Sequence, residues 1–157
     1  MVKVRMLHPV EPDFRRPVPE YRSSLVFVDG LIPTFDLPYG LNIGSIVTDL
    51  CEERGLCSFE LMSHRGNWQV APLRDWPTSA RAASLEFSHE AVDHNFYDVD
   101  VSVTTNPERT RVFVQFDQPE GAAQWFALSE HCLAWVDGDR LLGFFIELDP
   151  ERVPAGP

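Results

Sequence analysis

The sequence predicts an α+β fold built mainly of antiparallel hairpins, with one short helix near residues 45–54. Three observations carry that expectation. Short runs rich in Val, Leu and aromatic residues recur from residue 56 onward, separated by turn residues such as Asn106-Pro107-Glu108 and Asp137-Gly138-Asp139. Tyr97, Val99, Val101 and Val103 alternate with Asp98, Asp100, Ser102 and Thr104, as in a strand with one buried and one wet face. Between Ser45 and Gly55, a cap residue, a one-sided apolar pattern and a terminal glycine follow one another as in a helix.

Taken in order, residues 2–7 suit a short strand. Residues 9–19 hold Pro9, Pro12, Pro17 and Pro19, which forbid helix and favour an extended arm laid on the domain or offered to a partner's groove. Ser24–Val28 reads as a strand stopped by Asp29-Gly30, and residues 31–44 as a loop broken by Pro33, Pro38, Gly40 and Gly44. In the helix expected next, Ser45 is the N-cap and Ile46, Val47, Leu50 and Cys51 share a face. Leu56–Met62 and Trp68–Leu73 flank His64-Arg65-Gly66-Asn67, a sequence suited to a hairpin turn. Pro77 can open a short helix through Ala80, Ala82 and Ala83. Leu85–Ser88, Arg111–Phe116 and residues 124–128, 132–136 and 140–148 then complete the strands. In the last of these, Leu142, Phe144, Ile146 and Leu148 share one face, with Leu141 and Phe145 on the other. Two apolar faces imply a strand sandwiched centrally or covered by a second copy in a homodimer.

The segment from Asn106 to Leu148 resembles a family of small bacterial domains of unknown function. The resemblance rests on the turn and strand Asn106-Pro107-Glu108-Arg109-Thr110-Arg111-Val112-Phe113-Val114-Gln115-Phe116. It extends to Asp137-Gly138-Asp139-Arg140-Leu141-Leu142-Gly143-Phe144-Phe145-Ile146-Glu147-Leu148. That family has an Asp-Pro hairpin and ends in a Gly-Ile-Glu-Ile-like strand. Here Thr110 stands where an Asp is usual, and Phe145 where the Glu would be. The resemblance implies hairpins and brings no catalytic residue.

The chain has 157 residues, suited to one domain spanning 1–157, and a formal net charge of −11. Residues 1–22 hold five basic and three acidic residues, a net of +2; the rest holds 8 basic and 21 acidic, a net of −13. A body this acidic repels phosphate, so nucleic acid is not the expected partner. No segment approaches the ~18 apolar residues of a membrane span, and the N-terminal residues lack a signal peptide's apolar stretch. Three cysteines, Cys51, Cys57 and Cys132, form no disulfide framework and point to a reducing, cytoplasmic setting.

Candidate chemistry is sparse. On a helix, His89 and Asp93 at i and i+4 would share a face and could hold a divalent metal, with His94 as a third candidate ligand. The pattern is near the His-Glu-x-x-His motif of zinc proteases, but His94 arrives one residue late, about 100 degrees around the helix. The bland reading is a polar loop. Cys51 and Cys57 have neither zinc-knuckle nor redox spacing, and neighbouring strand residues such as His131 and Cys132 point to opposite faces. Gly40–Ser45 lacks the lysine of a phosphate loop, and no serine-hydrolase elbow is present. Four Trp and 11 Phe suit an aromatic core, or a cavity for an apolar small molecule.

The acidic surface therefore weighs most. Between Arg81 and Arg109 lie Glu86, Glu90, Asp93, Asp98, Asp100 and Glu108 with no Lys or Arg. Solubility alone accounts for such a surface; the functional reading is steering toward a basic partner. The leading expectation is a non-enzymatic protein-binding module without a cofactor, of the kind an inhibitor or immunity-type partner of a basic protein would be. A metal-assisted enzyme using the 89–100 cluster and a small apolar-ligand binder are the alternatives.

Overall fold

The computed structural model describes residues 1–8, 19–22 and 25–149. The proline-rich arm expected over 9–19 lies outside them, apart from Pro19, which is buried. In chain order the strands are β1 (Val2–Leu7), β2 (Glu20–Arg22), β3 (Leu25–Val28), β4 (Asn42–Ile43), β5 (Ile46–Leu50), β6 (Leu56–Leu61), β7 (Gln69–Val70), β8 (Arg81–Ala82) and β9 (Ser84–Phe87). Helix α1 (His89–His94) follows. After it come β10 (Phe96–Tyr97), β11 (Ser102–Thr105), β12 (Arg111–Gln115), β13 (Gln124–Ser129), β14 (Cys132–Asp137) and β15 (Arg140–Glu147).

Two sheets result. The larger runs β7-β11-β12-β15-β14-β13-β8, with β1 joining β15 and β9 pairing with β1. The smaller runs β10-β4-β5-β6-β3-β2. Antiparallel pairs dominate, but β10–β4, β11–β7 and β13–β8 are parallel. Both sheets are thus mixed rather than purely antiparallel. The predicted class holds in its coarse form: strands dominate, and α1 is the α-helix among the described residues.

The inner faces share one core. Val26, Ile43, Ile46, Phe59 and Leu61 of the smaller sheet meet Val112, Val114, Phe144 and Ile146 of the larger. Phe59 stacks on Phe144 at 4.4 Å between centroids, tying sheet to sheet. β15 is buried over nearly its whole length, with β12 and β14 on its two sides. Its hairpin with β14 turns at Gly138, whose φ of 63° suits glycine.

Five expectations require correction. The helix at 45–54 is absent: Ile46–Leu50 is a strand in which Ile46, Thr48 and Leu50 are buried and Val47 and Asp49 exposed. Ser45 is not a cap but part of the β4–β5 turn, where Gly44 has φ 53° and an added Cβ would lie 2.4 Å from the Val99 carbonyl oxygen. The expected hairpin across 64–67 is replaced by a 3-10 turn, Arg65–Asn67, with the Trp68 indole donating to the Ser63 carbonyl. That turn carries the chain from β6 in one sheet to β7 in the other, so β6 pairs with β5 and β3 instead. The strand expected over 97–104 is divided: β10 belongs to the smaller sheet, β11 to the larger, and the chain crosses between them at 98–101. No helix follows Pro77, and β8 occupies Arg81–Ala82.

The face assignment of the final strand also changes. A bulge shifts the β14–β15 register, so that Trp135 opposes Gly143 and Val136 opposes Leu141. Leu142 is the extra residue, and the inversion puts Leu141 into the common core with Phe144 and Ile146.

Candidate functional site

The site with the richest combination of shape and charge sits where the β5–β6 turn meets the 31–38 loop. The turn is closed by Cys51 N–H donating to the Gly55 carbonyl at 3.0 Å and Arg54 N–H to the Cys51 carbonyl at 2.8 Å. Arg54 adopts φ 65°, and a Cβ on Gly55 would meet Ile32 Cδ1 at 2.6 Å, so glycine lets the loop lie against the turn. The Arg54 side chain anchors this corner by donating to the Phe87 carbonyl at 3.0 Å and pairing with Glu86 at 3.3 Å. Arg5 pairs with the same carboxylate at 2.8 Å.

Between turn, loop and β9 opens a cleft of about 550 Å³ with Ile32, Leu85 and Cys51 in its apolar lining. Asp36, Glu52 and Glu53 are exposed at its margin. Next to Asp36, Phe35 is fully exposed, and Leu37 and Tyr39 further along the loop are also exposed. Glu86 is buried and paired with its two arginines, whereas among the described residues no cation pairs with the three marginal carboxylates.

Cys57 and Cys132 offer no nucleophile. Burial, reinforced by the adjacent Cys51, pushes the Cys57 thiol up to about 12, and burial pushes Cys132 up as well. Both stay protonated at neutral pH, and a thiol is a poor attacking group.

His89, Asp93 and His94 do fall on a helix. Ser88 caps α1 by accepting from the Ala91 N–H at 3.1 Å, and Asn95 ends it at φ 52°. All three side chains are exposed. They are not brought together: His89 lines a groove with Lys3, Arg54 and Glu86, while His94 lines another with Met1 and Glu90 and packs on Tyr97 at 4.6 Å. Burial and the Glu90 carboxylate push the Tyr97 hydroxyl up. Among the described residues no group of three or more His, Cys, Asp or Glu side chains is arranged to hold a metal ion.

The aromatic residues on the larger sheet's second face pack on one another. Trp125 stacks on Trp135 at 5.6 Å, Phe113 meets both edgewise, and Trp76 covers Phe145 at 4.8 Å. Arg74 lies over Trp125 and Trp135 at 5.7 and 5.8 Å.

One constellation escaped the sequence reading. His131 Nδ1 lies 3.0 Å from Glu147 Oε1, and Arg111 pairs with Glu147 Oε2 at 3.2 Å, in a polar cleft that also includes Asn106 and Thr110. The signal for it is the register: Arg111 opposes Glu147 across β12–β15. His131 then reaches the same carboxylate, while Cys132 points into the core. A carboxylate-oriented imidazole is half of a catalytic device. Thr110, the hydroxyl at hand, accepts from Asn106 Nδ2 at 3.0 Å within its own turn.

No protein-family model matches the chain, and no curated protein matches it. Among the described residues, no helix is long and apolar enough to cross a membrane.

Proposed function

We propose that the protein is a non-enzymatic binding module for a basic protein partner. The observation that supports this reading best is the apolar cleft margined by Asp36, Glu52 and Glu53 beside the fully exposed Phe35. Aromatic side chains presented in water next to exposed carboxylates suit a partner with cationic side chains around an apolar contact. The net −13 after residue 22 adds long-range attraction that raises the encounter rate. Such a module acts by masking a cationic surface, the role of an inhibitor or immunity-type partner.

Affinity capture at graded NaCl tests the reading. A cationic protein should be recovered at low salt, released as salt rises, and lost when Asp36, Glu52 and Glu53 are all changed to Lys. Recovery that is indifferent to both salt and charge reversal refutes it.

A further inference from the structure

We propose that Cys51 and Cys57 form a dithiol site at which a peroxide makes a reversible disulfide across the β5–β6 turn. The inference goes beyond the binding-module reading and does not rest on it. The three cysteines are placed differently. Cys132 is fully buried in the common core, whereas Cys51 and Cys57 stand outside that cluster, at the base of one turn. Cys51 follows Leu50 and Cys57 follows Leu56, and Leu50 and Leu56 oppose each other across the two strands. A bulge in the register leaves Cys57 as the extra residue of β6. Both sulfurs then converge on Gly55. The Cys57 thiol donates to the Gly55 carbonyl at 3.5 Å, and the place a Cβ would take on Gly55 is 3.1 Å from Cys51 Sγ. Glycine leaves open the space into which Cys51 reaches, and the two thiols hydrogen-bond to each other. Sulfurs in contact meet the first demand of a disulfide, that the two side chains point at one another.

Access and charge select the reagent. Cys51 lines the cleft of about 550 Å³ and is 8% exposed, whereas Cys57 is 2% exposed and does not line it. An oxidant therefore meets Cys51 first. Asp36, Glu52 and Glu53 at the margin repel anionic oxidants and anionic glutathione disulfide, and admit small neutral hydrogen peroxide. The Cys51 sulfur attacks one peroxide oxygen: the S–O bond forms, the O–O bond breaks, and water leaves with the thiol's proton, giving a sulfenic acid. Cys57, which burial holds protonated at neutral pH, is the resolving thiol. Its sulfur attacks the Cys51 sulfur: the S–S bond forms, the S–O bond breaks, and the departing hydroxide takes the Cys57 proton to leave as water. The two thiols lose two electrons and the peroxide is reduced to two waters. A thiol reductant reverses the bridge by exchange.

The test treats the reduced full chain with hydrogen peroxide, quenches it in acid, alkylates the remaining thiols in denaturant and maps tryptic peptides without reduction. Trypsin cuts at Arg54, between the two cysteines, so the bridge should appear as peptides 23–54 and 55–65 joined by a disulfide. The chain carrying it should remain monomeric, and a dithiol reductant should remove it. The bridge should form about tenfold faster than the fully buried Cys132 is consumed. Absence of that bridge, a bridge through Cys132, or one between two chains each overturns the proposal. Cys57→Ala should stop the reaction at a sulfenic acid on Cys51, trapped by a 1,3-diketone. Cys51→Ala should lose both bridge and adduct, and an adduct on Cys57 in that variant overturns the assigned order. If neither variant folds, the wild-type peptide map decides alone. Glutathione disulfide at the same concentration should react about tenfold more slowly than the peroxide; an equal or faster reaction overturns the assignment to a peroxide.

Discussion

Gly143 fixes the centre of the larger sheet. A Cβ there would lie 2.0 Å from the Val114 carbonyl oxygen and 3.1 Å from Gln115 Cα, both backbone atoms of the neighbouring β12. No rotamer relieves that overlap, so the strand itself must move. Gly143→Ala should cost about 2–3 kcal/mol of unfolding free energy in urea, at the upper end of overpacking effects; an unchanged midpoint contradicts the close approach. A second residue reports on pH. Asp137 accepts from the Gly121 and Glu120 N–H groups at 2.9 and 2.7 Å, and these bonds, with Arg140, hold its carboxyl below the ordinary 3.8. Because the folded state binds that proton less readily than the unfolded chain, the contribution is present above about pH 4 and fades as pH falls through the depressed value. Asp137→Ala should therefore melt at a lower temperature at pH 7. The deficit should narrow as the pH falls below 3.8, and a deficit independent of pH excludes the mechanism. The Asp137-Gly138-Asp139 turn is legible in the sequence, but its contact with Glu120 and Gly121 is not, since the β13–β14–β15 register rather than spacing brings them together.

At the scale of elements, legibility followed the length and locality of the pairing. β12, β14 and β15 lie within a residue or two of their expected bounds, because each is a run of apolar residues ended by a strong turn. The β5 segment suits a helix by sequence alone because Ile46, Val47, Leu50 and Cys51 fit one helical face, while Ile46, Thr48 and Leu50 fit one strand face equally well. Its pairing with β6 decided between them, and Val47 and Thr48 are β-branched residues that strands favour. The two-residue parallel strands β7, β8 and β10 have no sequence signature, as their partners are remote and their length is below any period. For the candidate site, the acidic residues were legible, but the cleft and the exposed Phe35 required the 31–38 loop to fold onto the β5–β6 turn. In α1 the cap is the local determinant: the helix has only six residues, so Ser88 holds a large share of its end groups. Ser88→Ala should cost about 1 kcal/mol, and hydrogen exchange at Ala91 should accelerate, whereas unchanged exchange would show that packing of Ala91 alone holds the turn.

At the scale of the molecule, the question is whether two mixed sheets behave as one unit. Strand β1 pairs within the larger sheet, the chain crosses between sheets at 61–69 and 97–102, and the inner faces share one apolar cluster. Each sheet's buried residues therefore lose their environment if the other opens, which couples the two through hydrophobic burial in addition to the hydrogen bonds that join the β5–β6 turn to β9. Phe144 stands at that junction, fully buried in the larger sheet and stacked on Phe59 of the smaller. Truncation to alanine removes the ring from both inner faces. Phe144→Ala should cost roughly 3–5 kcal/mol, the range for deleting a buried phenylalanine. The partition of that loss is the informative part. If the sheets unfold together, fluorescence of Trp125 and Trp135 in the larger sheet and amide exchange at Ile46 and Thr48 in the smaller should shift to the same denaturant midpoint. A variant in which the tryptophan transition moves while β5 exchange stays at its wild-type value would show two independently stable sheets.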